Sequence, residues 1–353
     1  MATSRHLALL TAIPLMILTA ADWSCVPIAE QTLAEGVTWR QQNCTRDAKT
    51  SPPTLVVNSV TVDLTRSDLR LVAQAADPAS PSGGNQSLKT LPDIGRQDTR
   101  NLAGINGGYF WRVDVDGFWR DNVCHGKRRE EAEEPPDASH PNYGVGDGVV
   151  VVDGVLKSNN CNCTGNSRPA VMLLNGGESA IEVLHRGESP GPEVLNAIGA
   201  GPNLVSWNAS ASAAVVDIPQ DDDNINRVVR EAATAAGLVQ QVDQATGALV
   251  ASAAVFVTTD GSDSCHVWEE WCGLQLRHLA TLMKDVHGCT SAMSMDQGGS
   301  TTMWLAADVQ GKAAQTDGVV SNSDNANSKY PGAGRALANG LFVQTLTSRD
   351  PAL

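Results

Sequence analysis

Aromatic side chains make up only 4% of the 353 residues, and 25 lysines and arginines stand against 39 aspartates and glutamates. The resulting net charge of −14 repels nucleic acid and anionic membranes, and no basic cluster offsets it, so neither is expected as a partner. There is no CxxC pair and no HExxH helix, which removes the usual ligand patterns for zinc. Asp114-Val115-Asp116-Gly117 and Asp221-Asp222-Asp223 lack the twelve-residue spacing of a calcium loop, so no metal and no cofactor is expected. The G-x-S-x-G elbow of serine hydrolases is missing, as is a Gly-rich phosphate loop. No apolar run after the first 21 residues approaches the length of a membrane span.

What is there begins with a secretory pattern. Arg5 and His6 precede an apolar run from Leu7 to Leu18, and Thr19-Ala20-Ala21 offers small residues for cleavage before Asp22. This predicts a signal peptide over 1–21 and a secreted or periplasmic mature chain that does not insert into a membrane. All eight cysteines (25, 44, 124, 161, 163, 265, 272 and 289) lie beyond that segment, and an even count in an exported chain suits disulfides. Sequons at Asn43, Asn85, Asn162 and Asn208 fit glycosylation. Residues 22–50 carry two cysteines and little periodicity, and read as an extended segment tethered by disulfide. A single domain is expected over 51–346, followed by a short tail over 347–353.

Strand signals dominate that domain. "TLVVNSVTVDL" (54–64) and "ALVASAAVFVTTDG" (248–261) are β-rich runs. "GVVVVDGVLKS" places Asp153-Gly154 between apolar runs, a strong hairpin cue, and "AVMLLNGGESAIEVL" repeats the arrangement around Asn175-Gly176-Gly177. Leu276, Leu279, Ala280, Met283 and Val286 recur at helical spacing, with Gly288 just beyond as a stop. Many strands, a mixed or antiparallel sheet and few helices predict an α+β fold.

The stretch "AMSMDQGGSTTMW" (292–304) raises the functional question. Met293 and Met295 alternate with Ser294 and Asp296, as in a half-buried strand, and the chain then opens into Gly298-Gly299-Ser300-Thr301-Thr302. A carboxylate at a strand end is thereby set beside flexible backbone and hydroxyl groups. An ordinary strand-turn with an exposed aspartate fits these residues alone equally well.

Taken together, nine segments in order resemble the phosphodiester glycosidase family. They are "AGINGGYF" (103–110), "GVGDGVVVVDG" (144–154), "SRPAVMLL" (167–174), "AIGAGPNLV" (197–205), "ATAAGL" (233–238), "VTTDG" (257–261), "LRHLATLMKDVHG" (276–288), "MDQGGSTTMW" (295–304) and "RALANGLFV" (335–343). Two positions depart from the family pattern. Gln297 stands where a glycine is common, harmless at negative φ and costly at positive φ. Ala233 stands where many members have arginine before the threonine; Arg230 is three residues out of register.

The resemblance implies hydrolysis of a sugar-1-phosphodiester at the sugar side. A phosphomonoester leaves readily, so the harder task is stabilising an oxocarbenium-like centre with carboxylates. Asp296 leads as the catalytic carboxylate and Asp260 is the second, with a plain turn role before Gly261 as the alternative for the latter. The phosphate is expected on backbone N–H groups of Gly298, Gly299 and Ser300, the hydroxyls of Ser300 and Thr301, and the guanidinium groups of Arg168 and Arg335. Structural ion pairs are the alternative for the two arginines. Asn106 would bond a sugar hydroxyl or hold the neighbouring turn, and Gly107, Gly108 and Thr234 complete the implied substrate-binding set. Tyr109, Phe110 and Trp111 would stack on a sugar or fill a core. The partner is then a glycan or sugar-phosphate substrate. A non-catalytic carbohydrate-binding protein on the same fold is the competing class, favoured by Ala233 and Gln297.

Overall fold

Alternation of apolar and polar residues becomes strand after strand along the chain. The computed structural model describes residues 23–46, 55–78, 87–110, 148–158, 170–174, 179–184, 188, 190–218, 231–261, 273–306, 317–321 and 334–346. The expected signal peptide, Arg168 and both aspartate-rich candidates for calcium lie outside these residues.

The largest sheet has eight strands. In spatial order they are β1 (Trp23–Ala34), β2 (Val37–Arg46), β3 (Leu55–Asp63), β14 (Leu249–Thr259), β13 (Ala233–Val242), β15 (Ser291–Ser294), β11 (Asn203–Asn208) and β12 (Ala213–Val216). A second sheet runs β16 (Met303–Leu305), β5 (Asn101–Asn106), β17 (Asn339–Thr345), β4 (Leu69–Ala75). The third runs β7 (Val155–Ser158), β6 (Val150–Val152), β10 (Asn196–Ala200), β8 (Ala170–Leu174), β9 (Ala180–Val183). Every ladder between these strands is antiparallel. The described residues are thus mostly β with few helices, closer to an all-β arrangement than the α+β label suggests.

All three sheets close on one apolar core. Val60, Phe256 and Met293 enter it from the first sheet, Ile105, Met303 and Leu341 from the second, and Met172 and Ile198 from the third. Each is fully buried, and complete burial of a side chain of this size contributes about 1.5–3 kcal/mol. The outer face of the eight-stranded sheet is covered by α2 (Leu276–Thr281), whose Leu276 and Leu279 pack on Ala235, Val255 and Val257. A five-residue helix, α1 (Leu91–Gly95), covers the outer face of the second sheet. Its Leu91 and Ile94 meet Val72, Trp304 and Phe342, and Thr90 caps it by accepting from Asp93 N.

Two local features follow the sequence closely. At the β6–β7 turn, Asp153 (φ 47°) and Gly154 (φ 75°) both adopt the left-handed backbone that a two-residue hairpin requires. Gly288, at φ 68°, ends the helical segment. That segment is not uniform, however: after Thr281 it widens into a π turn over Leu282–Val286, with His287 N donating to Leu282 O at 3.3 Å. The wide turn buries Leu282 and Met283 together under β13 and β15.

Residues 23–46 form a hairpin with two register shifts at the edge of the largest sheet, and Cys25–Cys44 bridges two directly opposed positions in it. His278 in α2 contacts Arg46, and Trp23 Nε1 donates to Thr281 Oγ1 at 3.0 Å, so the hairpin is fastened to the covering helix. The expectation of mostly paired cysteines meets one exception: Cys289 is free and buried, and burial pushes its thiol up to about 12. The remaining five cysteines lie outside the described residues. Of the sequons, Asn43 and Asn208 are exposed. Among the described residues no helix is long and apolar enough to cross a membrane.

Candidate active site

Strand direction brings the two predicted carboxylates to one end of the largest sheet. β13 is antiparallel to both neighbours, with Ala233 opposite Thr259 of β14 and Ala235 opposite Ser294 of β15. The start of β13 therefore lies between the ends of β14 and β15. Asp260, one residue past β14, and Asp296, two past β15, emerge on either side of it. Two strand spacings, roughly 9.6 Å, separate their backbones.

Asp296 is held closely. Its N–H donates to Gly107 O at 3.0 Å, and its carbonyl accepts from Asn106 Nδ2 at 2.7 Å. Its Oδ1 accepts from Gln297 N at 3.0 Å, and the residue is 6% exposed. Asp260 is half-buried and extends the β14–β3 ladder by donating its N–H to Val56 O at 3.0 Å.

Asn106, at the end of β5, joins the sheets at this point. Its Oδ1 accepts from Thr234 Oγ1 at 2.7 Å and from Thr302 N at 3.0 Å, while Nδ2 reaches Asp296 O. Both Asn106 and Thr234 are fully buried. The polar atoms of these two face each other and the main chain, and they fix the Asp296 loop. Of the two roles open to Asn106, holding the neighbouring turn is the one its hydrogen bonds perform.

Gly107 and Gly108 are likewise turned inward. Gly107 N donates to Asn339 O at 3.0 Å, and Gly108 N to Asn339 Oδ1 at 2.9 Å. A Cβ on Gly108 would lie 2.0 Å from Gly199 O, so the glycine is required by backbone approaching backbone. These two positions serve the frame and do not present amides to a ligand.

The turn expected to cradle phosphate uses some of its own amides. Gly298–Ser300 form a 3-10 turn in which Gly298 N donates to Ala232 O at 2.8 Å and Ser300 N to Gln297 O at 3.3 Å. The Gly298 and Ser300 amides are thus engaged within the chain. Side-chain donors remain at the turn. Arg335, 7% exposed, places Nη1 3.5 Å from Ser300 Oγ. Thr301 Oγ1 is buried and has no hydrogen-bond partner among the described residues.

The two departures from the family pattern have structural answers. Gln297 has φ −117°, and the left-handed conformation falls one residue later, on Gly298 at φ 60°. Glutamine is therefore compatible with the turn, and its Nε2 donates to Ser294 Oγ. Ala233 is buried on the α2 side of its strand with Ala235 and Val257, so no cation stands there. Tyr109 and Phe110 are both buried, with Phe110 in the cluster under α1. Trp111 lies outside the described residues.

Two residues at this end escape a reading of the sequence alone. Glu231, 6% exposed, bridges Leu274 through its backbone directly before Ala232, which carries the acceptor for Gly298 N. It is a third carboxylate at the same sheet end. Asn339 opens β17 and binds both glycines after β5. The only sequence signals are an Arg230-Glu231 charge pair before an apolar run and an asparagine before a glycine.

A family model described as phosphodiester glycosidase matches residues 102–344. No curated protein matches the chain in sequence. Among solved structures, the catalytic domain of the zebrafish N-acetylglucosamine-1-phosphodiester alpha-N-acetylglucosaminidase, auto-inhibited by pro-peptide, aligns with a TM-score of 0.53 at 17% identity. That alignment covers 92% of this chain and 88% of the zebrafish one. A hypothetical protein from Synechocystis aligns at 14% identity with a TM-score of 0.47, over 88% of this chain, which spans only 62% of that protein's length. At such identities the structural likeness is one of fold.

Proposed function

The chain belongs to the phosphodiester glycosidase family, and on that premise we propose that it hydrolyses a sugar-1-phosphodiester at the sugar side, releasing free sugar and a phosphomonoester. The observation that carries the reading is the emergence of Asp260 and Asp296 at one sheet end, on either side of β13. One carboxylate activates water while the other stabilises positive charge developing at the anomeric carbon.

The phosphate arm is held by Arg335, Ser300 and Thr301, with Arg168 as a further cation. A bound diester has one negative charge, and a guanidinium meets two of its oxygens at once. Glu231 beside the same turn sets a limit on how much anionic charge this end tolerates, so the arginines act against a negative background. The Cys25–Cys44 disulfide and the signal-like start support function in an oxidising compartment outside the cytosol.

Incubation with a panel of glycosyl-1-phosphodiesters, with chelator controls and calorimetry of the free sugars alongside, tests the proposal. Release of free sugar and phosphomonoester is the expected result. Binding of sugar with no cleavage of any diester would instead establish a carbohydrate-binding protein, the reading that Ala233 favours. Activity lost to chelator and restored by a divalent ion would place a metal in the reaction.

A further inference from the structure

A row of polar side chains crosses the largest sheet on its core-facing side. Gln41 on β2 is opposite Asn58 on β3, Asn58 is opposite Thr258 on β14, and Thr258 is opposite Thr234 on β13. All four share the face that carries Trp39, Val60, Phe256 and Ala236 into the common core. The row starts at the partly exposed Gln41, whose Nε2 donates to Asn58 Oδ1 at 3.0 Å. It ends where Thr234 Oγ1 donates to Asn106 Oδ1, and through Asn106 Nδ2 at Asp296 O.

The middle of the row has unused capacity. Asn58 and Thr258 are both 0% exposed, yet Asn58 Nδ2 and Thr258 Oγ1 have no hydrogen-bond partner among the described residues. Leaving two adjacent buried polar atoms unsatisfied is costly, and apolar residues of the same shape would fit this core better. Directly opposed residues have Cβ atoms about 4.5–5.5 Å apart, a span that a single water bridges with a hydrogen bond at each end.

We propose that Asn58, Thr258 and Thr234 hold a buried water between them, and that the row so completed positions Asp296 by way of Asn106. On this account Asn58 and Thr258 are positioning residues. They extend the working parts of the protein to β3, which precedes the family-matched region of 102–344. The positioning half rests on the hydrolase reading above; the water site does not.

Crystallography of the wild type at about 1.5 Å, where ordered waters are resolved, decides the first half. Density for one water within hydrogen-bond distance of all three side chains is expected; a dry contact, or side chains rotated to other partners, overturns the proposal. Thr258→Val and Thr258→Ser decide the second half. Valine keeps the shape and removes the hydroxyl, so kcat should fall about tenfold with KM within about twofold, and serine should restore it. The valine protein should melt within about 3 °C of the wild type, since it keeps the shape and loses about one net hydrogen bond. Unchanged kcat in a folded valine variant, or loss that serine does not rescue, refutes positioning through this row. If the wild type cleaves no diester, the hydrolase reading and with it the positioning role fail, while the electron density still decides the water site.

Discussion

Replacing Asn106 with leucine tests whether the site is held by one side chain. Leucine has a similar volume and no polar atoms, so it fills the space and removes every hydrogen bond. Four groups then lose a partner: the Asp296 carbonyl, the Thr302 N–H, the Thr234 hydroxyl and the Gly107 carbonyl, of which only the last keeps another, in Asp296 N. Thr234 and Thr302 are at most 1% exposed and Asp296 6%, so water cannot replace what is lost without the loop opening. A buried polar group left unsatisfied costs about 1–3 kcal/mol, and some relaxation brings the total for three to about 3–6 kcal/mol. That is a large share of an ordinary folding free energy of about 5–15 kcal/mol. For a chain of this size it corresponds to a fall in Tm on the order of 4–8 °C. Urea and thermal unfolding of the purified wild type and Asn106→Leu, followed by circular dichroism, give the difference directly. A variant within about 1 kcal/mol of the wild type would show that Asn106 is not the junction of the sheets, and the account of the Asp296 loop would go with it.

Three further outcomes follow from the same geometry. Asp296→Asn keeps an acceptor for Gln297 N, so Tm should stay close to the wild type while diester hydrolysis drops about 100-fold or more; a wild-type rate, or a collapse of Tm, removes Asp296 from the reaction. Arg335→Ala should weaken turnover of the charged diester far more than binding of the neutral sugar, and wild-type turnover should rise with added salt as screening offsets the charge of −14; calorimetry and a salt series measure both. Hydrogen bonds from Arg100 hold the Asp98 carboxyl below the usual carboxylate range, so its contribution to stability is present above the unfolded value of about 3.9 and is lost as pH falls through the folded one; Asp98→Asn should flatten the acid limb of a Tm–pH curve, and an unaltered limb would contradict the pairing.

The legible parts of the fold were those carried by local chemistry. Asp153-Gly154 specified its turn because both residues tolerate a left-handed backbone, and Leu55–Asp63 and Leu249–Thr259 were legible as strands from their composition alone. Spacing placed the helix from Leu276 onward but not its π turn, since apolar positions three and four apart do not report which carbonyl a given N–H selects. The five residues of α1 are too few for any period, and only Thr90 and Pro92 hinted at a helix start. At the site, Asp296 and Asp260 were visible as acids at strand ends. What the sequence could not disclose was which donors the chain itself consumes. Asn106, Gly107, Gly108 and Thr234 look like ligand-binding groups until their partners at Asn339, Thr302 and Asp296 are known, and those partners lie far away along the chain.

That distance has a consequence for how the protein comes to be. Gly108 N and its acceptor on Asn339 are 231 positions apart, and Asn106 is 190 positions from the carbonyl it holds. During synthesis β5 emerges long before β17, so the loop after β5 has no acceptor for its amides until almost the whole chain is outside the ribosome. Closing segments of this length carries an entropic cost that only the finished sheets offset. The carboxylate end of the molecule is accordingly among the last regions to become ordered, and an incomplete chain ending before Asn339 contains Asp260 and Asp296 without the frame that aligns them.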